Sequence, residues 1–180
     1  MSLEIFDFIQ LTEDLDIPEF SCSDTDLNNF IHDDAKPYLK ELMAVTYLFV
    51  DKRANKTGAY FSLLNDKISY RPSEKSNWNK LNRKVVNRKR RKSYPSVKLG
   101  RLAVSNDYSG NGVGSDILNF IKHAFTHGNR TGCRFITVDA YSSAVGFYKK
   151  NGFEFFTDKD SGEYTRLMYF DLKPLKENAN

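Results

Sequence analysis

The chain has 180 residues, 40% hydrophobic and 28% charged, with a net charge of +4, which is enough apolar material for one ordinary domain with a core. Two cysteines and three scattered histidines exclude a disulfide framework and argue against zinc chemistry. No apolar run approaches the length that spans a membrane, and the acidic start MSLEIFDFIQLTEDLD lacks a signal-peptide core, so a soluble, cytoplasmic protein is expected, with one domain over residues 1–173 and a frayed tail over 174–180.

Taken in chain order, residues 3–11 alternate as a first strand. Ser23 or Asp24 then caps a helix whose apolar face carries Leu27, Phe30 and Ile31. Pro37 is expected to interrupt it, with a second short helical piece over 37–42. Residues 43–50 are β-branched and aromatic and predict a buried strand, which a turn at DKRANKTG pairs with a strand over 59–64. Residues 69–95 carry little pattern beyond Trp78 and Leu81, which predict a short helix over 76–83. A strand over 97–104 leads through a glycine turn into a helix over 112–126, with Ile117, Leu118, Ile121, Ala124 and Phe125 on its apolar face. His123 and His127 stand four apart on that helix, a spacing that could bind a metal, but no acidic or cysteine partner accompanies them and a wet helix face is expected. A strand over 134–139 and a helix over 142–150, stopped by Asn151-Gly152, precede strands over 153–156 and 164–172.

Two stretches carry chemistry. Between the strand ending near Val104 and the helix starting near Gly112 stand Gly110, Gly112 and Gly114. Glycine permits positive φ and close backbone approach, and unpaired N–H groups of a first helical turn suit a phosphate, although three glycines also make a tight turn. No Lys-Ser/Thr follows, so it is not a Walker loop, and the spacing is not that of a dinucleotide fingerprint. The second stretch is RKVVNRKRRK, residues 83–92, either a solvated run or the footprint of a polyanion.

The glycine turn Ser109-Gly110-Asn111-Gly112-Val113-Gly114 resembles the acetyl-CoA motif Q/R-x-x-G-x-G/A of the GCN5-related N-acetyltransferases, the GNAT superfamily, with Ser109 in place of Gln or Arg. About thirty residues on, VDAYSSAVGFYKKNGF resembles the family's strand and helix ending in a Phe-Tyr pair. FSCSDTDLNNFIHDDA and YPSVKLGRLAV resemble the acetyltransferase toxins of toxin–antitoxin modules. The resemblance implies an α/β (α+β) fold with a mixed, mostly antiparallel twisted sheet of six or seven strands and helices on both faces. It also implies acetyl-CoA as cosubstrate, with the pyrophosphate on residues Ser109 to Gly114, pantetheine along Leu102, Ala103 and Val104, and further contacts from Ser143, Phe147 and Lys149. Tyr141 stands where many members carry an Asn that touches the pantetheine.

In the same way Tyr148 is implied as the general acid that protonates the departing CoA thiolate. No general base stands out: Lys98 and Arg101 occupy the strand before the turn, and Asp139 is either a base or the cap of the next helix. A low-pKa amine needs little help, which favours an acceptor such as aminoacyl-tRNA, the acceptor that the toxin resemblance implies. Arg88, Lys89, Arg90, Arg91 and Lys92 would then hold RNA phosphate. An antitoxin protein and a homodimer are implied on the same ground. An acetyltransferase for a small amine or a protein N-terminus, and a non-enzymatic CoA- or nucleic-acid-binding module, are the rival readings.

Overall fold

The structure, a computed structural model, describes residues 3–85, 91–129 and 131–178. Seven strands hydrogen-bond in the order β1-β2-β3-β4-β5-β7-β6: β1 Phe6–Gln10, β2 Val45–Asp51, β3 Lys56–Ser69, β4 Ser93–Val104, β5 Phe135–Tyr141, β6 Glu154–Phe155 and β7 Thr165–Asp171. Among the pairings described, only β4 with β5 is parallel. The expected mixed, mostly antiparallel sheet is therefore the one found. The chain divides into two compact units, Met1–Leu64 with Leu99–His123, and Asn65–Lys98 with Ala124–Asn180, so β3 and β4 contribute residues to both.

In the first unit, of the two caps that the sequence offers, Ser23 and Asp24, it is Asp24 that serves: its side chain accepts from the N–H groups of Asp26 and Leu27, starting α1, Thr25–Asn29. The chain does not break at Pro37. A π-helical turn, Phe30–Asp34, passes straight into α2, Ala35–Lys40, with the Ala35 N–H reaching the carbonyl of Phe30. Pro37 stands in the first turn of α2, where a missing N–H costs least, and the wide π turn ahead of it takes up the misfit.

The helices lie on a core of Leu11, Phe20, Phe30, Ile31, Leu48 and Tyr60. Tyr60 is wholly buried; its ring meets Phe20 edge-on at 5.1 Å, and its hydroxyl donates to the Leu27 carbonyl at 2.6 Å, so the phenol satisfies its polar end inside an apolar cluster. A second aromatic group joins Phe8, Tyr47, Phe49 and Phe61 on β1 to β3 with Phe120.

The end of α2 is a Schellman cap, with Met43 N–H on the Tyr38 carbonyl and Leu42 N–H on that of Leu39. The left-handed residue of the cap is Leu42, at φ 56°, with its side chain 92% exposed. A leucine there carries steric strain that glycine lacks and gains no packing in return. Leu42→Gly is expected to stabilise the fold by about 0.5–1 kcal/mol, seen as a rise in Tm of about 2 °C. A fall in Tm would mean that the Leu42 side chain has a packing partner.

In the second unit, β3 runs past the Leu64 that the sequence predicts as its end, to Ser69. Asn65-Asp66-Lys67 has the composition of a turn, but the Asp66 carboxylate accepts from the Thr137 hydroxyl at 2.5 Å, which gives the strand a polar anchor on β5. The poorly patterned stretch after it forms a 3-10 turn, Pro72–Glu74, and α3, Lys75–Arg83. Trp78 stacks on Tyr94 at 5.2 Å and meets Tyr70 edge-on at 5.9 Å, within a core that includes Ile68, Leu81, Phe135, Phe156 and Tyr169.

Helix α4, Val113–His127, buries Val113, Ile117, Leu118, Ile121 and Lys122; Ala124, expected on its apolar face, is exposed. Helix α5, Val145–Lys150, follows a 3-10 turn over Ser142–Ala144 and ends as predicted, with Gly152 left-handed at φ 82° and the Phe153 N–H on the Tyr148 carbonyl. The tail expected to fray opens with a further helix, α6, Lys173–Asn178.

Candidate functional site

In the first unit β4 ends at Val104, and the turn is tied down at once: Ser105 N–H donates to the Gly58 carbonyl at 2.8 Å and Asn106 N–H to that of Ser21 at 3.0 Å. Tyr108 fixes the middle. Its hydroxyl donates a short hydrogen bond to Asp51, whose other oxygen accepts from the Arg53 and Ala54 N–H groups, and its ring lies edge-on to Phe6 at 5.0 Å. The hydrogen bond to Asp51 raises the phenol to about 12, and the same bond holds the Asp51 carboxyl below its usual range. In the sequence, Tyr108 is marked only as an aromatic in a turn otherwise made of Ser, Asn, Asp and Gly.

Beyond this strut, Gly110 and Gly112 are left-handed, at φ 78° and 82°, and a Cβ added at either would meet nothing within 4 Å. Their need for glycine is conformational, and the space beside them is open. Gly112 then supplies the carbonyl on which the Ser115 and Asp116 N–H groups converge, at 3.0 and 3.1 Å. The N–H groups of Val113 and Gly114, in the first turn of α4, have no acceptor within the helix. They carry the positive end of a 15-residue helix, an arrangement suited to an anion. Ser109 and Asn111 are exposed and Val113 is buried. On β4, Ala103 is buried while Leu102 and Val104 are half-buried.

Tyr148 belongs to the second unit. On α5 its ring lies edge-on to Phe147 at 5.1 Å and to Phe153 at 5.3 Å, with 7% of the residue exposed. Burial pushes its phenol up, so that it holds its proton far into alkaline solution. Ser143 is exposed, and the exposed Lys149 holds its ammonium 5.6 Å from the Phe155 ring, on the rim of a cavity of about 320 Å³ that Lys80, Leu81 and Tyr169 also line.

Asp139 does not cap the next helix; its carboxylate forms an ion pair with Lys98 at the last rung of the β4–β5 pairing, Lys98↔Thr137. Of the basic run, Arg83, Arg91 and Lys92 are exposed, and Lys84 is spent on Glu154 at 2.8 Å and on the Tyr169 hydroxyl. Arg88, Lys89 and Arg90 lie outside the described residues. Among the described residues no group of three or more His, Cys, Asp or Glu is arranged to hold a metal, and no helix is long and apolar enough to cross a membrane.

Residues 81–155, which run from α3 through the glycine turn and Tyr148 to β6, match the family model of the acetyltransferase (GNAT) domain. The likeness to the GNAT acetyltransferase domain is carried by this stretch. The match therefore contains the GNAT glycine turn and the Phe-Tyr pair in one frame.

Solved structures of similar fold align over nearly the whole chain. A bacterial toxin matches at TM-score 0.79 and 16% identity, over 97% of this chain and 95% of that one. The toxin AtaT complexed with acetyl-methionyl-tRNAfMet matches at 0.77 and 21%, over 97% and 99%. A tyrosine-to-phenylalanine variant of AtaT, bound to the C-terminus of the antitoxin AtaR and acetyl-CoA, matches at 0.75 and 20%, over 98% and 99%. At these identities the likeness is one of fold. No curated protein sequence matches the chain.

Proposed function

We propose that this protein is an acetyltransferase that moves the acetyl group of acetyl-CoA to the amino group of an aminoacyl-tRNA. The observation that carries the cosubstrate is the turn before α4, with two left-handed glycines, open space beside them and the N–H groups of a first helical turn. In this reading residues 110–114 take the pyrophosphate, and the backbone of Leu102, Ala103 and Val104 receives the pantetheine. Ser143, Phe147 and Lys149 add contacts along α5. The amine attacks the thioester carbonyl, the C–N bond forms as the C–S bond breaks, and Tyr148 gives its proton to the leaving sulfur. A phenol whose pKa burial raises is protonated throughout the neutral range and fits that role.

Support for the acceptor comes from three sides. The structural neighbour AtaT was solved with an acetylated aminoacyl-tRNA. Arg91 and Lys92 stand exposed, and with Arg88, Lys89 and Arg90 they offer five cations in a row. The third side is the amine itself. Asp139 is engaged by Lys98, and an amine that reaches its neutral form by itself has no need of a base. At pH 7 about one α-amino group in ten is neutral, against about one lysine side chain in a few thousand. An antitoxin protein partner and a homodimer belong to the same reading.

The test is direct. Purified protein is mixed with labelled acetyl-CoA and charged or uncharged tRNA. Label on the amino acid of charged tRNA alone is expected, and the tRNA affinity should fall by about tenfold or more between about 50 and 200 mM salt if several phosphates are held. Label that goes to small amines or protein N-termini while charged tRNA stays unlabelled would sink this acceptor.

A further inference from the structure

The second unit ends its β5–β7 ladder on two tyrosines. Tyr141 closes β5 opposite Thr165, and Tyr164 stands one residue before Thr165. Their rings lie 5.1 Å apart at an interplanar angle of 52°, an open wedge. Tyr164 is 78% exposed, among the most exposed large side chains described. Its backbone is nevertheless held: the Tyr164 carbonyl accepts from the Ser142 N–H at 3.1 Å and from the Ser142 hydroxyl at 3.2 Å, and the same hydroxyl also reaches the Glu163 carbonyl. A large π-face is thus turned to solvent from a tethered backbone. Aromatic faces of this kind stack nucleobases with little regard to sequence.

We infer that Tyr141 and Tyr164 form a stacking platform for the adenine of the acceptor's 3′-terminal nucleotide. The inference rests on the proposed aminoacyl-tRNA acceptor. Distance decides which adenine it takes. Tyr148 follows Tyr141 by seven residues across the 3-10 turn and α5, a span of about 10 Å at the rise of a helix. In an aminoacyl ester the reacting amine lies about seven covalent bonds from the adenine, or roughly 10 Å at most, whereas in CoA the sulfur lies about twenty bonds from its adenine. If Tyr148 works at the reacting sulfur, the platform is at the right range for the first and too near for an extended CoA. The neighbouring Glu163 is exposed and acidic, which suits an uncharged base and disfavours a phosphate at this spot.

The experiment compares Tyr164→Ala and Tyr164→Phe with the parent protein on three substrates: a methionyl minihelix ending in CCA, methionine methyl ester, which has no adenine, and acetyl-CoA. Tyr164→Ala is expected to raise the KM for the minihelix about tenfold, with the methyl ester and acetyl-CoA unchanged and with Tyr164→Phe near the parent. An unchanged minihelix KM, an equal loss on the methyl ester, or Phe behaving as Ala overturns the platform. A rise in the KM for acetyl-CoA alone assigns the stack to CoA and overturns the acceptor assignment. Binding of the uncharged CCA minihelix, followed by tyrosine fluorescence, gives a readout without turnover. Binding lost in Tyr164→Ala supports the platform even if no charged RNA is acetylated, in which case it is the acceptor reading that fails.

Discussion

Replacing Tyr148 by Phe is expected to lower kcat by about a hundredfold or more, with the KM for acetyl-CoA nearly unchanged. The substitution removes one oxygen and keeps the ring that packs edge-on against Phe147 and Phe153, so the fold has little reason to respond. On the proposed mechanism, what is lost is the proton for the departing thiolate. The pH profile gives a second check. Burial raises the Tyr148 phenol above its ordinary value of about 10, so the acid form persists as pH rises, and the parent enzyme should show no alkaline fall from this group below about pH 10. Its rate should instead climb through the pKa of the acceptor amine as the neutral form accumulates. Normal turnover in Tyr148→Phe, measured at saturating acetyl-CoA, would remove the tyrosine from the mechanism.

Trp78→Ala carries the largest expected cost in stability, about 3–5 kcal/mol, or a fall in Tm of about 10 °C. Trp78 is 5% exposed and lies between Tyr70 and Tyr94, so truncation leaves a large void and strips two aromatic contacts at once. Helix α3 has nine residues, too few to persist without its packed face, and Trp78 and Leu81 are the residues it buries. The basic run begins at its last residue, Arg83. Trp78→Phe should recover much of the loss, and Ser76→Ala, on the exposed side, should change Tm by less than about 2 °C. A loss under about 1 kcal/mol in Trp78→Ala would show that α3 is not anchored by this ring.

Local chemistry was legible in the chain wherever one residue decides one geometry. Asp24 as a cap, Gly152 as a helix stop, and Trp78 with Leu81 as the buried side of α3 all follow from short-range rules. The glycine turn was legible in the same way, as a need for positive φ that Gly110 and Gly112 meet. What escaped depends on partners distant in sequence. Asn65 to Lys67 have turn composition, yet the strand continues because Asp66 is hydrogen-bonded to Thr137, 71 residues away. Pro37 breaks helices in isolation, but a π turn ahead of it absorbs the strain. Tyr108 looks like a loop residue until Asp51, 57 positions earlier, is found beneath its hydroxyl. Asp139 similarly passes from possible helix cap to ion-pair partner only when β4 is laid beside β5.

The two left-handed glycines of the turn have one more consequence, which concerns chirality. Their φ values of 78° and 82° are those a D-residue adopts by preference, and a Cβ there would meet open space. D-alanine installed at Gly112 by chemical ligation would therefore fit the backbone without strain, while L-alanine would not. The D-residue would restrict the unfolded chain and steady the turn, yet set a methyl group beside the N–H groups that the proposed function gives to the pyrophosphate. At this one position handedness separates what the turn needs in order to fold from what it needs in order to bind.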